Sequence, residues 1–336
     1  MGFIRTLLAL CVVNSHTSGG VFGIGGREAV LLFYVISGFY MAMVLGRNYV
    51  DASSNKRFYY ARYTRLWLPY IPVLIITLCI TVCIMDVDRF VSAFSEAPLW
   101  VGLLAVISNI FIVGQDLFYL FSYSSEGLSF LPYGEKGHNG VNFLVNLPLF
   151  SVSIELYFYL LAPFFLRSKW GSLMLFLGGC MWFVGTGLLS MRGIGITYHA
   201  APAAFMYFGL GAIAYHLSQT KGGHLDYAIG CFTLLIAARL AKIVDPWLLV
   251  FFVCSVPLLF SFTKSNKIDN FIGEFSFLVY IVHYPLLMLL LYTGMERGFG
   301  LFIATSLSSV LLSTVLFFSV ERYVRAYRKK QFSSGY

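Results

Sequence analysis

Apolar residues fall in long blocks along the chain, separated by short polar or charged segments. A helix needs about 20 apolar residues to span a membrane, and eleven blocks approach or exceed that length. Charge then indicates which of the blocks cross. The blocks are residues 3–19, 28–46, 66–85, 98–122, 148–166, 170–190, 199–217, 225–241, 246–263, 271–292 and 299–320.

Lys and Arg concentrate between the second and third blocks and in the C-terminal tail. Positive charge collects in cytoplasmic loops, so these segments and the junctions at 167–169, 221 and 264–267 are predicted to be cytoplasmic. The pattern requires that the block 98–122 does not cross, because a crossing would place the basic tail outside. We therefore predict ten transmembrane helices, both termini cytoplasmic, and a re-entrant or interfacial outer-side segment. Polar residues that interrupt the block 98–122 are Ser108, Asn109, Gly114, Gln115 and Asp116.

The composition agrees with this pattern. Of 336 residues, 59% are hydrophobic and 11% are charged, whereas a soluble domain carries about 25% charged residues. This excludes a soluble enzyme and predicts an all-α polytopic membrane protein with one transmembrane domain, residues 1–336, ending in a cytoplasmic basic tail at 321–336. Residues 1–19 resemble a signal peptide, but the many later blocks favour an uncleaved first helix.

The net charge of +8 is interpreted as the cytoplasmic bias of Lys and Arg, not as a nucleic-acid surface. All six cysteines lie in apolar stretches and none forms a CxxC pair. The sequence therefore predicts neither a metal site nor a disulfide framework. No nucleic-acid partner is expected.

Two histidines lie within apolar blocks, where an ionisable side chain is costly and is therefore a candidate for function. His16 ends the first block, roughly 16 Å beyond Arg5 along a helix and towards the outer side. His283 lies in the middle of its block, with Tyr280 one turn earlier on the same face. Pro285 frees a backbone carbonyl that a neighbour can satisfy. An interfacial histidine and a hydrogen-bonded core histidine are the structural alternatives.

A carboxylate and two serines also interrupt apolar blocks. Glu155 lies one to two turns into its block, where it must face the protein interior, a partner or water, and a hydrogen-bonded packing carboxylate is the structural alternative. Ser151 shares its helical face. Gly38 is interpreted as a packing residue because small residues let helices approach closely, whereas Ser37 stays open between packing and function. In the predicted topology Ser37, Glu155 and the two histidines fall in the central-to-outer half of the membrane.

Arg62 and Arg65 lie just before the third block, at the predicted entry of its helix and one helical turn apart. Two guanidinium groups on one face suit a phosphate or pyrophosphate. Ordinary cytoplasmic charge and lipid headgroup binding are the alternatives, and without further context they are favoured.

Six short motifs are spread over most of the chain: Gly2–Arg5 with His16, Phe33–Phe39, Arg62 with Arg65, Ser151 with Glu155, Phe158 and Tyr159, Ser276 with Tyr280, His283 and Pro285, and Glu321 with Arg322. Taken in this order, they resemble the acyltransferase-3 family, integral-membrane enzymes that O-acylate bacterial cell-surface glycans. Each motif alone is weak, but six in the family order from residue 2 to 322 are specific.

The resemblance implies an acyl-CoA-dependent O-acyltransferase of the bacterial inner membrane. Acetyl-CoA would be the usual donor, and the acceptor would be a hydroxyl of a surface glycan, such as a polysaccharide or lipopolysaccharide, or of its lipid-linked precursor. Membrane lipids are the remaining partners. A secondary transporter and a glycan- or lipid-binding membrane protein without catalysis are the alternatives, since transporters also bury His and Glu in broken helices.

The resemblance also implies roles for the matched residues. A hydroxyl is a poor nucleophile and needs a general base, for which His16 is the candidate. Glu155 would orient and stabilise the His16 imidazole, as a carboxylate does behind a catalytic histidine. Arg62 and Arg65 would bind the phosphates of coenzyme A. The expected substrate-binding residues are Ser37, Ser151, Tyr280 and His283.

Overall fold

The computed structural model describes residues 1–20, 23–83, 87–132, 139–191, 193–220 and 222–323, and of residue 321 only the backbone. Three elements of the sequence analysis lie wholly or partly outside these ranges. They are the predicted cytoplasmic junction at 221, the basic tail beyond residue 323, and the side chain of the Glu321 motif position.

The structure is 81% helical. Seven helices, counted with adjoining short turns, are long and apolar enough to cross a membrane: α2, α3, α6, α7, α10, α11 and α12. This confirms an all-α type of membrane protein. The twelve α-helices of the described residues are α1 (Gly2–Thr17), α2 (Gly26–Asn48), α3 (Asn55–Cys83), α4 (Asp88–Glu96), α5 (Leu99–Phe111), α6 (Phe150–Phe165), α7 (Lys169–Leu188), α8 (Ala201–Gln219), α9 (His224–Leu240), α10 (Pro246–Thr263), α11 (Lys267–Tyr292) and α12 (Phe299–Leu316).

Three further long helices, α1, α8 and α9, occupy the predicted blocks 3–19, 199–217 and 225–241. α1 packs against α2, α11 and α12, while α8 packs between α2 and α7 and also contacts α9 and α10. Ten helices therefore coincide with the ten blocks that the sequence assigns to the membrane. The number that cross, and the side on which the termini lie, stay predictions.

The third helix begins well before the apolar block that predicts it. The helix α3 starts at Asn55, eleven residues before the apolar block at 66–85. The polar segment before the block contains neither Gly nor Pro, so nothing in it interrupts the helix. Arg62 and Arg65 consequently lie on a continuous helix and project from it one turn apart.

The block 98–122 is not a continuous helix. α5 has 13 residues, roughly 20 Å of helix, which is shorter than the ~30 Å hydrocarbon core. It ends at Phe111, because the next residue, Ile112, has a left-handed φ of 67°, and Gly114 follows with a φ of 86°. The chain then forms an antiparallel hairpin, β1 (Phe121–Ser124) with β2 (Gly127–Phe130). The hairpin and the short helix α4 are elements that the sequence analysis did not predict.

Polar residues in this segment bind it to the rest of the protein. Asn109 donates to the Phe143 carbonyl at 2.8 Å and accepts from the Val145 amide at 2.9 Å. Ser153 on α6 donates to Asp116 at 2.9 Å and accepts from the Gly114 amide at 3.0 Å. The backbone of this irregular segment lacks the hydrogen bonds of a continuous helix. These polar side chains pair with its amide and carbonyl groups instead, which explains why they interrupt the apolar pattern.

The backbones of α2 and α8 approach closely at two glycines. A Cβ at Gly38 would lie 2.0 Å from the Phe208 carbonyl oxygen, and a Cβ at Gly211 would lie 1.9 Å from the Val35 carbonyl oxygen. The packing interpretation of Gly38 is thus confirmed. Since Ser37 is its neighbour, this crossing also fixes where Ser37 projects.

Gly38→Ala should lower the unfolding temperature of the detergent-solubilised protein, because overpacking costs about 1–3 kcal/mol or more. Gly211→Ala should have the same effect. Gly185→Ala on α7 is the matched control, since no atom lies within 4 Å of its expected Cβ. An unchanged unfolding temperature for Gly38→Ala would contradict the tight crossing.

Candidate active site

A cavity of about 410 Å³ lies among α1, α2, α3, α6 and α11. A narrower cavity of about 50 Å³ shares four of its lining residues and extends to Ser151 and Tyr280. The two are therefore adjacent parts of one internal space. The shared residues are Arg5, Ser37, Glu155 and Phe277.

Positive charge dominates the larger cavity. Arg62 and Arg65 line it from α3, and Arg5 lines it from the second turn of α1. The glutamates in the lining are Glu155 and Glu274, so three guanidinium groups face two carboxylates. Within the described chain, the buried Nε of Arg62 has no hydrogen-bond partner. The cavity is suited to an anionic ligand, since paired guanidinium groups bind phosphate oxygens well.

Arg5 is the site residue that the sequence analysis missed. The sequence analysis names it only as part of the opening motif and as the reference point for His16, whereas the structure places it in the lining of both cavities. A signal was present, because an arginine inside an apolar helix faces a polar space or a partner by default.

Glu155 lies at the wall that the two cavities share. Its carboxylate accepts hydrogen bonds from Ser37 Oγ, at 2.9 Å, and from the hydroxyl of Tyr159 one turn further along α6. The structure therefore brings Ser37 and Glu155 together, although they are 118 positions apart in the chain. Neither polar group is left unpaired inside the bundle.

Ser151 lies one turn before Glu155 and lines the narrow cavity. Its hydroxyl donates to the Pro148 carbonyl at 2.9 Å and lies 2.6 Å from the hydroxyl of Tyr280. The same-face prediction for Ser151 and Glu155 agrees with their common place in the cavity lining. Tyr280 in turn connects this lining to the histidines of α1 and α11.

The two histidines are neighbours. The ring centres of His16 and His283 are 5.4 Å apart, and the ring of Tyr280 lies 5.7 Å from that of His283. Arg297, in the loop before α12, donates to the His16 carbonyl, and the Gly298 amide donates to the Thr17 carbonyl at 3.0 Å. The last turn of α1 is thereby held in place beside α11.

The expected pairing of Glu155 with His16 is not found. Among the described residues, Glu155 hydrogen-bonds Ser37 and Tyr159, and no hydrogen bond joins it to His16. His16 is also absent from the lining of both cavities, and Tyr280 is the lining residue whose ring contacts that of His283. Spacing predicts which residues share a helix face, but not which helix that face meets.

Pro285 frees a carbonyl that a neighbour does satisfy, as the sequence predicts. The missing amide would have donated to Ile281 four residues earlier, and Asn146 Nδ2 donates there instead, at 2.9 Å. Asn146 is 1% exposed, so this bond lies inside the protein. It supports α11 within one turn of His283.

Asn146→Leu should lower the free energy of unfolding by about 1–3 kcal/mol, because it leaves the buried Ile281 carbonyl without its donor. Adding Pro285→Ala should restore much of the loss, since the backbone amide of the new alanine can then donate to Ile281. Thermal unfolding of the two single variants and the double variant measures this coupling. Additive losses in the double variant would contradict it.

A family model described as an acyltransferase domain, of acyltransferase family 3, matches residues 1–319. Together with the helical membrane fold, this match indicates an integral-membrane acyltransferase. It belongs to the acyltransferase-3 family, which confirms the resemblance seen in its motifs. No curated protein and no solved structure matched the chain in the other two comparisons.

Proposed function

We propose that this protein transfers an acyl group, with acetyl favoured, from acyl-CoA to a hydroxyl of a cell-surface glycan or its lipid-linked precursor. We place it in the bacterial cytoplasmic membrane. Family membership supports the acyltransferase activity, which requires a donor and an acceptor. The observation that carries the choice of donor is the cavity lined by Arg5, Arg62 and Arg65.

The donor occupies the larger cavity. Arg62 and Arg65 bind the phosphates of coenzyme A, and Arg5 lies at the junction with the narrow cavity, where the pantetheine arm enters. Along α1, Arg5 and His16 are roughly 16 Å apart, a distance that an extended pantetheine arm covers. The thioester then reaches the level of Tyr280 and the histidines.

His16 acts as the general base. It takes the proton of the acceptor hydroxyl as the hydroxyl oxygen bonds to the thioester carbonyl carbon. The carbon–sulfur bond breaks, and the leaving coenzyme A thiolate takes the proton back from the imidazolium. The products are the acyl ester and coenzyme A, and no group on the enzyme is consumed.

Glu155 has a different role from the one that the sequence suggests. Its carboxylate, with the hydroxyl groups of Ser37 and Tyr159, forms a polar wall beside Arg5 where the donor passes. Ser151 and Tyr280 supply the hydroxyl groups next along the narrow cavity and bind the acyl end of the donor. These roles follow from position in the lining.

Arg62→Ala and Arg65→Ala should each raise KM for acyl-CoA by about 10-fold or more, because each removes a charge-assisted phosphate contact of roughly 1.5–3 kcal/mol. Coenzyme A should raise the unfolding temperature of the wild-type protein and do so less in these variants. Arg47→Ala is the control, since Arg47 belongs to α2 but not to the cavity lining. If coenzyme A does not raise the unfolding temperature of the wild-type protein, a transporter or a glycan-binding protein is favoured instead.

His16→Ala should abolish transfer of radiolabelled acetyl groups to a glycan fraction in membranes. Expression, unfolding temperature and protection by coenzyme A should remain, since His16 lies outside the donor cavity. Loss of a general base removes about 10²–10⁴-fold in rate. Normal transfer by this variant would rule out the mechanism.

A further inference from the structure

His16 has a partner that the sequence analysis assigned to substrate binding. His283 is fully buried in α11, and its ring faces that of His16 at a centre-to-centre distance of 5.4 Å and an angle of 33°. Within the described ranges no carboxylate hydrogen-bonds to His16. Among the described residues, the ring of Tyr284 also lies near it, with ring centres 6.4 Å apart.

One hydrogen bond fixes the protonation of His283. Its Nδ1 lies 2.5 Å from the Tyr280 carbonyl oxygen, which can only accept. The proton of the neutral ring is therefore on Nδ1, and Nε2 presents a lone pair. That choice of tautomer follows from the backbone of α11 itself.

The Nε2 atom of His283 is buried and has no hydrogen-bond partner among the described residues. A buried acceptor without a donor destabilises the folded protein, so such atoms are rare unless they serve a function. The nearest ring that can supply an N–H is that of His16. The two rings are not hydrogen-bonded to each other in the structure, so a hydrogen bond between them requires the His16 side chain to turn.

We propose that His283 is a positioning residue for His16, a role that rests on the proposed function. Its Nε2 accepts a hydrogen bond from one ring N–H of His16, which leaves the other ring nitrogen of His16 unprotonated and available to the acceptor hydroxyl. His283 thus takes the place expected for Glu155. When His16 takes the hydroxyl proton, its N–H becomes a charge-assisted donor to the same Nε2.

The proton balance needs no further group. The acceptor hydroxyl loses its proton to His16, and the coenzyme A thiolate receives that proton after the carbon–sulfur bond breaks. His283 keeps its own proton on Nδ1 throughout. It stabilises the imidazolium without adding a charge to a buried position.

Two amide substitutions separate positioning from packing. His283→Asn retains a donor near the position of Nδ1 and removes the acceptor at Nε2, whereas His283→Gln places an amide oxygen near Nε2. We expect the Asn variant to lower kcat by about 10²–10⁴-fold, as when a histidine loses its orienting partner. The Gln variant should keep at least tenfold more activity than Asn, and KM for acyl-CoA should stay within twofold in both.

The unfolding temperature and the protection by coenzyme A are measured for the Asn and Gln variants. Each variant should match the wild-type protein in these two measurements. His216→Asn is the control, since His216 is a partly buried histidine that bonds the Leu166 carbonyl at 3.0 Å, away from the cavities. It should transfer acyl groups at the wild-type rate. If the Asn variant does not fold, His283→Leu compared with His283→Gln makes the same test.

Different results would overturn the positioning role of His283 and the proposed role of His16 as the base. Full activity of His283→Asn, with His16→Ala inactive, overturns the positioning role and leaves the base in place. Equal losses for the Asn and Gln variants overturn it also, because packing alone would then account for them. Activity in His16→Ala overturns the proposed mechanism itself. In the His16→Ala background, His283→Asn should cause no further loss.

Discussion

The contact between α1 and α11 determines where the groups of the site lie. In the first turn of α1, Gly2 has no room for a side chain, because a Cβ would lie 1.7 Å from the Asp269 carbonyl oxygen. The Asp269 carboxylate accepts from the Gly2 and Phe3 amides, at 2.7 and 2.9 Å, and so caps the helix. In the last turn, Arg297 holds the carbonyl of His16. Because both ends of α1 are held, α1 cannot slide along α11, and His16 and His283 remain side by side.

Some polar side chains inside this bundle are hydrogen-bonded to one another. Glu155 receives two hydroxyl donors, and Ser151 lies against the hydroxyl of Tyr280. Desolvating such groups is expensive, so pairing them fixes the relative rotation of α2, α6 and α11. The arginines differ because they face open volume. This contrast separates the polar groups that support the structure from the charges available to a ligand.

The sequence could predict the long helices and several of the residues that line the cavities, but not how those residues pair. The lengths of the apolar blocks predict ten long helices, and the cost of burying an ionisable group indicates His16, Glu155 and His283 as candidates for function. The partner of each depends on helix rotation and tilt, which a single sequence does not encode locally. Glu155 therefore faces Ser37 rather than His16. Arg5 was missed because the same charge also fits an ordinary cytoplasmic helix end.

The position of α8 bears on how the protein is made. Eleven of its 19 residues are buried, between α2 and α7, and it is not among the seven helices apolar enough to cross alone. Contact with lipid stabilises its tyrosines and His216 little, so stable insertion of α8 depends on packing against neighbouring helices. Both main neighbours precede α8 in the chain and leave the ribosome first. Synthesis order thus supplies the surface that receives this helix, and a permuted chain that began with α8 would insert poorly.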